Sequence, residues 1–119
     1  MEMKSVSMKD VYFLHKAMGV AMTSQEHHKH GCIITKGSKI LSWGINSRRN
    51  HPRICTHAPT EAGIHAEVAA IKKIQGELKG AKLYVARTNN FGQPLLSKPC
   101  KACECAIKEA GIKKIVWTE

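Results

Sequence analysis

The sequence predicts an α/β fold, a sheet with helices packed on its faces. Segments with apolar residues at helical spacing alternate with short strand-like runs, in the order helix, strand, strand, helix, strand, helix, strand. The chain has 119 residues, 43% hydrophobic and 24% charged, which suits one core and one domain over residues 1–119. No internal repeat, low-complexity tract or Pro/Ser-rich linker divides it.

The first helix is expected from Ser7 to about Thr23, with Val11, Leu14, Ala17 or Met18, and Ala21 on its apolar face. Gln25 to Gly31 is polar and rich in His. Cys32–Thr35 and Lys39–Trp43 are short apolar runs around Lys36-Gly37-Ser38, a hairpin signal. Gly44 to Gly63 reads as a long irregular loop, and loops of that length are usually functional. His65 to about Ile74 is the second helix, Lys82–Arg87 a strand and Thr88–Pro99 a second loop. Cys100–Ala110 forms the third helix, stopped by Gly111, and Ile112–Thr118 the last strand. Trp43 and Trp117 are expected in the core as large apolar strand residues.

Composition narrows the function classes. It excludes disorder, collagen-like repeats and coiled coil. No stretch approaches the ~20 apolar residues of a membrane span, and the N-terminus lacks a signal peptide's layout. A soluble, cytoplasmic protein without a membrane partner is expected. Nineteen Lys and Arg against nine Asp and Glu give a net charge of +10, which favours anionic partners such as nucleotides or nucleic acid. Five cysteines without a secretory signal argue against a disulfide framework. Cys32 and Cys55 read as buried small residues, whereas Cys100, Cys103 and Cys105 cluster.

Two segments carry chemistry: His65-Ala66-Glu67 and Pro99-Cys100-Lys101-Ala102-Cys103, each opening a helix. Cys100 and Cys103 are three apart, so they share a helix face and can reach one metal ion. A helix N-terminus also favours thiolates, and Pro99 suits a helix entrance. With His65 they form a one-His, two-Cys set suited to Zn²⁺, leaving a fourth position for water. Glu67 is the carboxylate that can take that water's proton and pass it to substrate. Residues two apart on a regular helix point about 200° apart, so an irregular first turn must bring Glu67 to the site. The alternative is a closed structural zinc site that adds Cys105. Helical geometry turns Cys105 about 200° away from Cys103, and it is expected to face the sheet or a neighbouring helix.

H-x-E followed by P-C-x-x-C resembles the signature of the zinc-dependent cytidine, deoxycytidylate and tRNA-adenosine deaminase superfamily. The resemblance implies a cytidine-deaminase-like three-layer α/β/α sandwich, in a minimal form with about four strands and three helices. It implies His65, Cys100 and Cys103 as zinc ligands and Glu67 as the proton shuttle. It also implies Asn46 at the substrate's sugar, and the backbone of Ala66 and carbonyl of Lys98 at the base. The implied reaction is hydrolytic: hydroxide on the zinc attacks C4 of cytosine, Glu67 protonates the ring nitrogen and then the amine, and ammonia leaves. An adenine reader would be attacked at C6.

Branch features point to a deoxycytidylate-like member. Gly44-Ile45-Asn46-Ser47-Arg48-Arg49 lacks the Glu of the Asn-x-Glu motif typical of free-cytidine deaminases. The two zinc cysteines are too close for the riboflavin-type deaminases. Ala102 stands where tRNA-adenosine deaminases usually have Met, and Ala69 where deoxycytidylate deaminases commonly have Asn. The ending Ala110-Gly111-Ile112-Lys113-Lys114-Ile115-Val116 is similar to the deoxycytidylate branch. The chain stops after the fourth strand, and an open sheet edge leaves room for a homo-oligomer, a dimer or larger.

Arg48 and Arg49, with His51, Arg53 and His57, are candidates for holding a nucleotide phosphate or a strand's backbone. Phe91 is the candidate for stacking on a base. His27, His28 and His30, or Cys55 with His57, are weaker candidates for a second metal. The expected function is zinc-dependent deamination of a cytosine nucleotide. The alternatives are a deaminase of cytosine or adenine in single-stranded DNA or RNA, and a catalytically silent zinc-containing nucleic-acid-binding module, against which Glu67 speaks.

Overall fold

The computed structural model describes residues 7–25, 28–46, 65–74, 78–97, 99 and 101–118. Among them three helices flank a five-stranded sheet. The extra strand, relative to the expected four, is a two-residue piece inside the second predicted loop.

Helix α1 (Met8–Ala21) starts at a capping box. The Asp10 amide donates to the Ser7 hydroxyl at 3.1 Å, and the Ser7 amide donates to the Asp10 carboxylate at 3.2 Å. The buried stripe is Asp10, Phe13, Ala17 and Ala21, not the expected set centred on Val11 and Leu14. Val11 is exposed, and Leu14 and Met18 only flank the core. The stripe rotates because Asp10 is not solvated. Its carboxylate accepts hydrogen bonds from the Tyr84 hydroxyl at 2.7 Å and Lys114 Nζ at 2.9 Å.

Strands β1 (Lys29–Lys36) and β2 (Lys39–Ile45) form the expected hairpin, closed by Lys36 opposite Lys39. Gly37 takes φ +64° in the two-residue turn, a conformation that glycine adopts without a Cβ clash. Strand β3 (Lys82–Thr88) runs antiparallel to β1. The other edge of β3 is shared. Strand β5 (Lys114–Trp117) lies parallel along Lys82–Val85, and β4 (Pro94–Leu95) lies antiparallel along Arg87 and Thr88.

Side chains alternate across this sheet as strand geometry demands. Ile33, Tyr84, Ala86 and Val116 face α1 and pack on Phe13 and Ala17. Cys32, Ile34, Leu83, Val85 and Ile115 face the other way. They pack beneath α2 (Ala66–Lys72) and α3 (Lys101–Glu109) through Ala66, Ala70 and Ile107. The result is the three-layer α/β/α sandwich that the sequence predicts.

Two further expectations are corrected. Trp43 is half exposed rather than core. Its ring lies under Lys73 Nζ, 3.8 Å from the centroid, and Lys73 also donates to the Trp43 carbonyl at 2.8 Å. Cys105 does not face the sheet. The inward positions of α3 are Cys103, Ala106 and Ile107, so Cys105 is turned outward and half exposed, where its thiol donates to Glu109 at 3.6 Å. Trp117 packs partly buried against the core, as expected.

Candidate metal and catalytic site

The site is built where α2 and α3 begin. His65 occupies the N-cap of α2 in an extended backbone conformation (φ −76°, ψ 152°), and its imidazole makes no capping hydrogen bond. It is therefore outside the helical register. This is the irregularity that the H-x-E spacing requires, because the 200° rule applies only between helical residues. His65 Nδ1 lies 3.1 Å from Cys103 Sγ, across 38 residues of sequence.

Apolar packing brings these two donors together. One turn beyond His65 is Val68, and one turn beyond Cys103 is Ala106. Val68, Cys103 and Ala106 form one buried cluster with Ile71 against it. Ordinary Zn–N and Zn–S bonds at tetrahedral angles would set the donors about 3.5 Å apart. A nitrogen and a sulfur already near that separation fit a zinc ion chemically and sterically. The third expected ligand, Cys100, lies outside the described residues, as do Lys98, Arg48, Arg49 and His27. Among the described residues no three His, Cys, Asp or Glu side chains group to hold a metal; of the second-metal candidates, His27, Cys55 and His57 lie outside the described residues.

Glu67 stands in the first turn of α2 and is 4% exposed. Cys32 of β1 is fully buried in the cluster that includes Ala66 and Ala70. Burial, and then the charge of Glu67, push the Cys32 thiol well above its ordinary pKa. Cys32 is thus a neutral thiol. The helix approaches the sheet closely here because Gly44, paired with Cys32 across the hairpin, has no side chain. A Cβ at Gly44 would stand 2.6 Å from both the Ala66 carbonyl oxygen and the Ala70 nitrogen. The Ser42 hydroxyl donates to the Ala70 carbonyl at 2.8 Å and fixes the same approach. Ala66 itself is fully buried.

The entry to α3 is tied to the sheet from the other side. Ser97, buried just ahead of Pro99, donates its hydroxyl to the Val85 carbonyl at 2.9 Å, and its amide donates to the Thr118 carbonyl at 2.9 Å. The Thr118 hydroxyl donates to the Leu95 carbonyl. Sequence reasoning missed this tie, since Ser97 and Thr118 are ordinary loop and terminal residues until β4 and β5 meet.

Asn46, at the end of β2, has its side chain engaged within the protein. Its Oδ1 accepts from the Ser24 hydroxyl at 2.8 Å and the His30 amide at 3.1 Å, and its Nδ2 donates to the His28 carbonyl at 2.6 Å. Asn46 therefore fastens the α1–β1 connection to the strand that leads into the site. Phe91 lies in the turn between β3 and β4, 89% exposed, with its amide donating to Asn89 Oδ1 at 2.8 Å. The structure brings His65 and Cys103 together, with Ala66 and Glu67 following His65 in the first turn of α2, and leaves Phe91 89% exposed. His30, which the sequence offers only as a candidate for a second metal, lies on the same face of the sheet as Cys32. Burial, and then the positive charges of Arg87, His65 and His28, lower its pKa to about 4. The available signal was strand alternation, which puts His30 and Cys32 on one row.

The sequence model of the family described as "Cytidine and deoxycytidylate deaminase zinc-binding region" matches residues 7–119. The fold is similar to that of the dCMP deaminase of cyanophage S-TIM5 in its apo form, with a TM-score of 0.69 and 24% identity over 95% of this chain and 84% of that one. The same phage protein in complex with dCMP and dUMP also gives a TM-score of 0.69, at 21% identity. Guanine deaminase from Bacillus subtilis is similar at a TM-score of 0.58 and 26% identity, over 90% of this chain and 62% of that one. A Thermotoga maritima diaminohydroxyphosphoribosylaminopyrimidine deaminase/reductase shares the fold over 92% of this chain and 29% of its own length, at a TM-score of 0.59 and 22% identity. A search of curated proteins found no match. Among the described residues no helix is long and apolar enough to cross a membrane.

Proposed function

The chain belongs to the cytidine and deoxycytidylate deaminase zinc-binding family, and from that premise we propose that it is a zinc-dependent hydrolytic deaminase of a cytosine nucleotide, of deoxycytidylate type. The observation that carries this reading is the 3.1 Å approach of His65 Nδ1 to Cys103 Sγ, with the buried Glu67 in the first turn of the helix that His65 caps. His65 and Cys103, joined by Cys100, would hold the zinc. When bound, zinc supplies the Lewis acidity that makes water a nucleophile near neutral pH.

The chain's own residues do the rest. Glu67 accepts a proton from the attacking water and delivers it to the ring nitrogen N3. It then carries the second proton to the exocyclic amine. The C4–N bond breaks, a C4–O bond replaces it, and ammonia and the uracil nucleotide leave, so one water is consumed per turnover. Burial of Glu67 in the first turn of α2 keeps bulk water from it, so its proton goes to the substrate. The buried contact of Val68, Cys103, Ala106 and Ile71 holds the two helix starts in register.

The net charge of +10 supports a second reading, the same chemistry on cytosine or adenine in single-stranded nucleic acid. Salt separates the two, since a polymer reader loses affinity steeply as salt rises. The deciding experiment is a product assay by mass spectrometry. Zinc-loaded protein and a Glu67→Ala control meet cytidine, deoxycytidine, their monophosphates, adenosine and short single-stranded DNA and RNA. Conversion of dCMP by the wild type alone is expected, as a gain of about one mass unit. No conversion of any substrate by zinc-loaded protein would overturn both enzymatic readings.

A further inference from the structure

Lysines gather at the end of the sheet away from His65 and Cys103. There Lys36 stands opposite Lys39, Thr35 opposite Lys82, and Lys82 beside Lys114. The turn before β3 and the end of α3 meet at the same end. The Gly80 amide donates to the Gly111 carbonyl at 3.3 Å, and the Lys113 amide donates to the Ala81 carbonyl at 2.9 Å. Lys79, Lys108 and Lys113 are thereby added to the row. Helix α2 ends on the β2 flank, where Lys73 reaches Trp43. The catalytic end is marked by Gly44, which pairs with Cys32 and lies against Ala66. The run of β1 from Cys32 to Lys36 spans roughly 13 Å.

Little negative charge offsets this row. Among the described residues the carboxylates at this end are Asp10 and Glu109. Asp10 is buried and is met by Lys114 at 2.9 Å and Lys82 at 3.8 Å. Glu109 accepts from the Cys105 thiol. Glu67 and Glu104 stand in the first turns of α2 and α3, at the other end. Glu77, between α2 and β3 in sequence, lies outside the described residues. Lys72 and Lys108 occupy last turns of helices, where a cation complements the helix dipole. Lys36 and Lys39 flank the hairpin turn and are exposed, and no helix end accounts for them.

We infer that this lysine-rich end, flanked by Trp43, is a docking surface for single-stranded nucleic acid, separate from the catalytic site. Exposed lysines track a phosphate backbone, and an exposed aromatic ring gives an unpaired base a face to stack on. Trp43 is 49% exposed although Lys73 Nζ lies over its ring, and Ile40, next to Lys39, is 41% exposed. This aromatic and apolar component favours unpaired bases over a duplex or a lipid headgroup, neither of which offers a free base face. The inference goes beyond the deaminase reading and does not rest on it. Binding of a strand at this end and deamination of that strand are separate events.

The test titrates zinc-loaded protein into fluorescein-labelled short oligo(dT) and oligo(U), a DNA duplex of the same length, and vesicles of phosphatidylcholine with phosphatidylserine, over a range of salt. The variants are Lys36→Gln/Lys39→Gln, Trp43→Leu and, as a control on α1, Lys16→Gln. The wild type should bind the single strands more tightly than the duplex or the vesicles. The lysine pair should make the slope of log affinity against log salt shallower by about 1.4, at about 0.7 per phosphate contact on a single strand. Trp43→Leu should weaken strand binding about 5- to 100-fold, the range for one lost stacking platform. Lys16→Gln should change strand binding little. The kcat/KM of the converted mononucleotide should stay the same in the lysine pair. Thermal midpoints control for folding, and if Trp43→Leu fails to fold, the exposed lysine pair carries the test. No strand binding by the wild type, strand binding that the lysine pair leaves unchanged, or an equal loss in Lys16→Gln would overturn the inference. Preference for the vesicles or the duplex would overturn it in favour of those partners. Lysine-dependent strand binding without conversion of any nucleotide would support the docking surface and overturn the deaminase reading.

Discussion

Gly44 of β2 lies against the Ala66 carbonyl at the start of α2, with room for a hydrogen and not for a methyl group: a Cβ would stand 2.6 Å from that oxygen. The obstacle is backbone on both sides, so no rotamer change relieves it. Gly44→Ala must push the N-terminus of α2, with His65 and Glu67, away from the sheet. The expected result is a stability loss of about 1–3 kcal/mol from overpacking, and a fall in kcat/KM of about 100-fold from misplaced catalytic groups. Thermal melting and steady-state kinetics on the converted substrate would check it. Full activity in Gly44→Ala would show that the site tolerates a displaced helix.

Asp10 links α1 to the sheet through buried charge. Burial alone would raise its pKa, but hydrogen bonds from Lys114, Tyr84 and the Ser7 amide outweigh burial and hold the carboxyl well below its ordinary 3.8. The folded state therefore binds its proton less tightly than the unfolded chain. The resulting stability is complete above the ordinary carboxylate pKa and is lost as pH falls through the lower folded value. Asp10→Asn leaves Lys114 without its buried partner and should cost about 3 kcal/mol or more near neutral pH. Denaturant melts between pH 6 and pH 2 should show the difference between wild type and variant shrinking at the acid end. A constant difference would assign the effect to packing rather than charge.

Glu67→Gln keeps the shape of the side chain and removes its proton transfer. Activity should fall by at least about 10²- to 10⁴-fold, the range for a general acid–base group, with zinc content unchanged. A companion measurement uses the cysteines. Cys105 is half exposed, whereas Cys32 is fully buried with its thiol pKa raised. Iodoacetamide should therefore modify Cys105 and spare Cys32 in the native protein. Because burial contributes more than Glu67 to that raised pKa, Cys32 should stay unreactive in Glu67→Gln as well. Rapid labelling of Cys32 in the variant would show that the carboxylate, not burial, protects it.

The family was legible in the sequence because His65, Glu67 and Cys103 are residue types with few alternative uses at that spacing. Element order was equally legible, since α1, the β1–β2 hairpin and β3 each carry their own period. What escaped depends on partners distant in sequence. The α1 stripe turned toward Asp10 because Tyr84 and Lys114, more than 70 residues away, neutralise it. Strand β4 is two residues long and begins with Pro94, so it has no local signal and is held by Thr118. Trp43 looked like core because a lone strand cannot show that Lys73 will cover its ring.

The His65–Cys103 contact makes a last prediction about the metal. The two donors belong to different helices that meet through a small buried cluster. An ion bound by both ties α2 to α3, and a ligand that binds only the folded state stabilises by mass action, about 4 kcal/mol when its free concentration is a thousand times its Kd. Chelation should therefore lower the melting temperature of the wild type as well as stop turnover, and added Zn²⁺ should restore both. His65→Ala and Cys103→Ala should bind zinc poorly and melt at the same temperature with or without chelator. Their melting points need not equal that of chelated wild type, since Cys103→Ala also removes a buried side chain. What matters is the shift on chelation, large in wild type and absent in the variants. A wild-type protein that melts identically with and without zinc, while still losing activity on chelation, would mean that the ion is held without bridging the two helices.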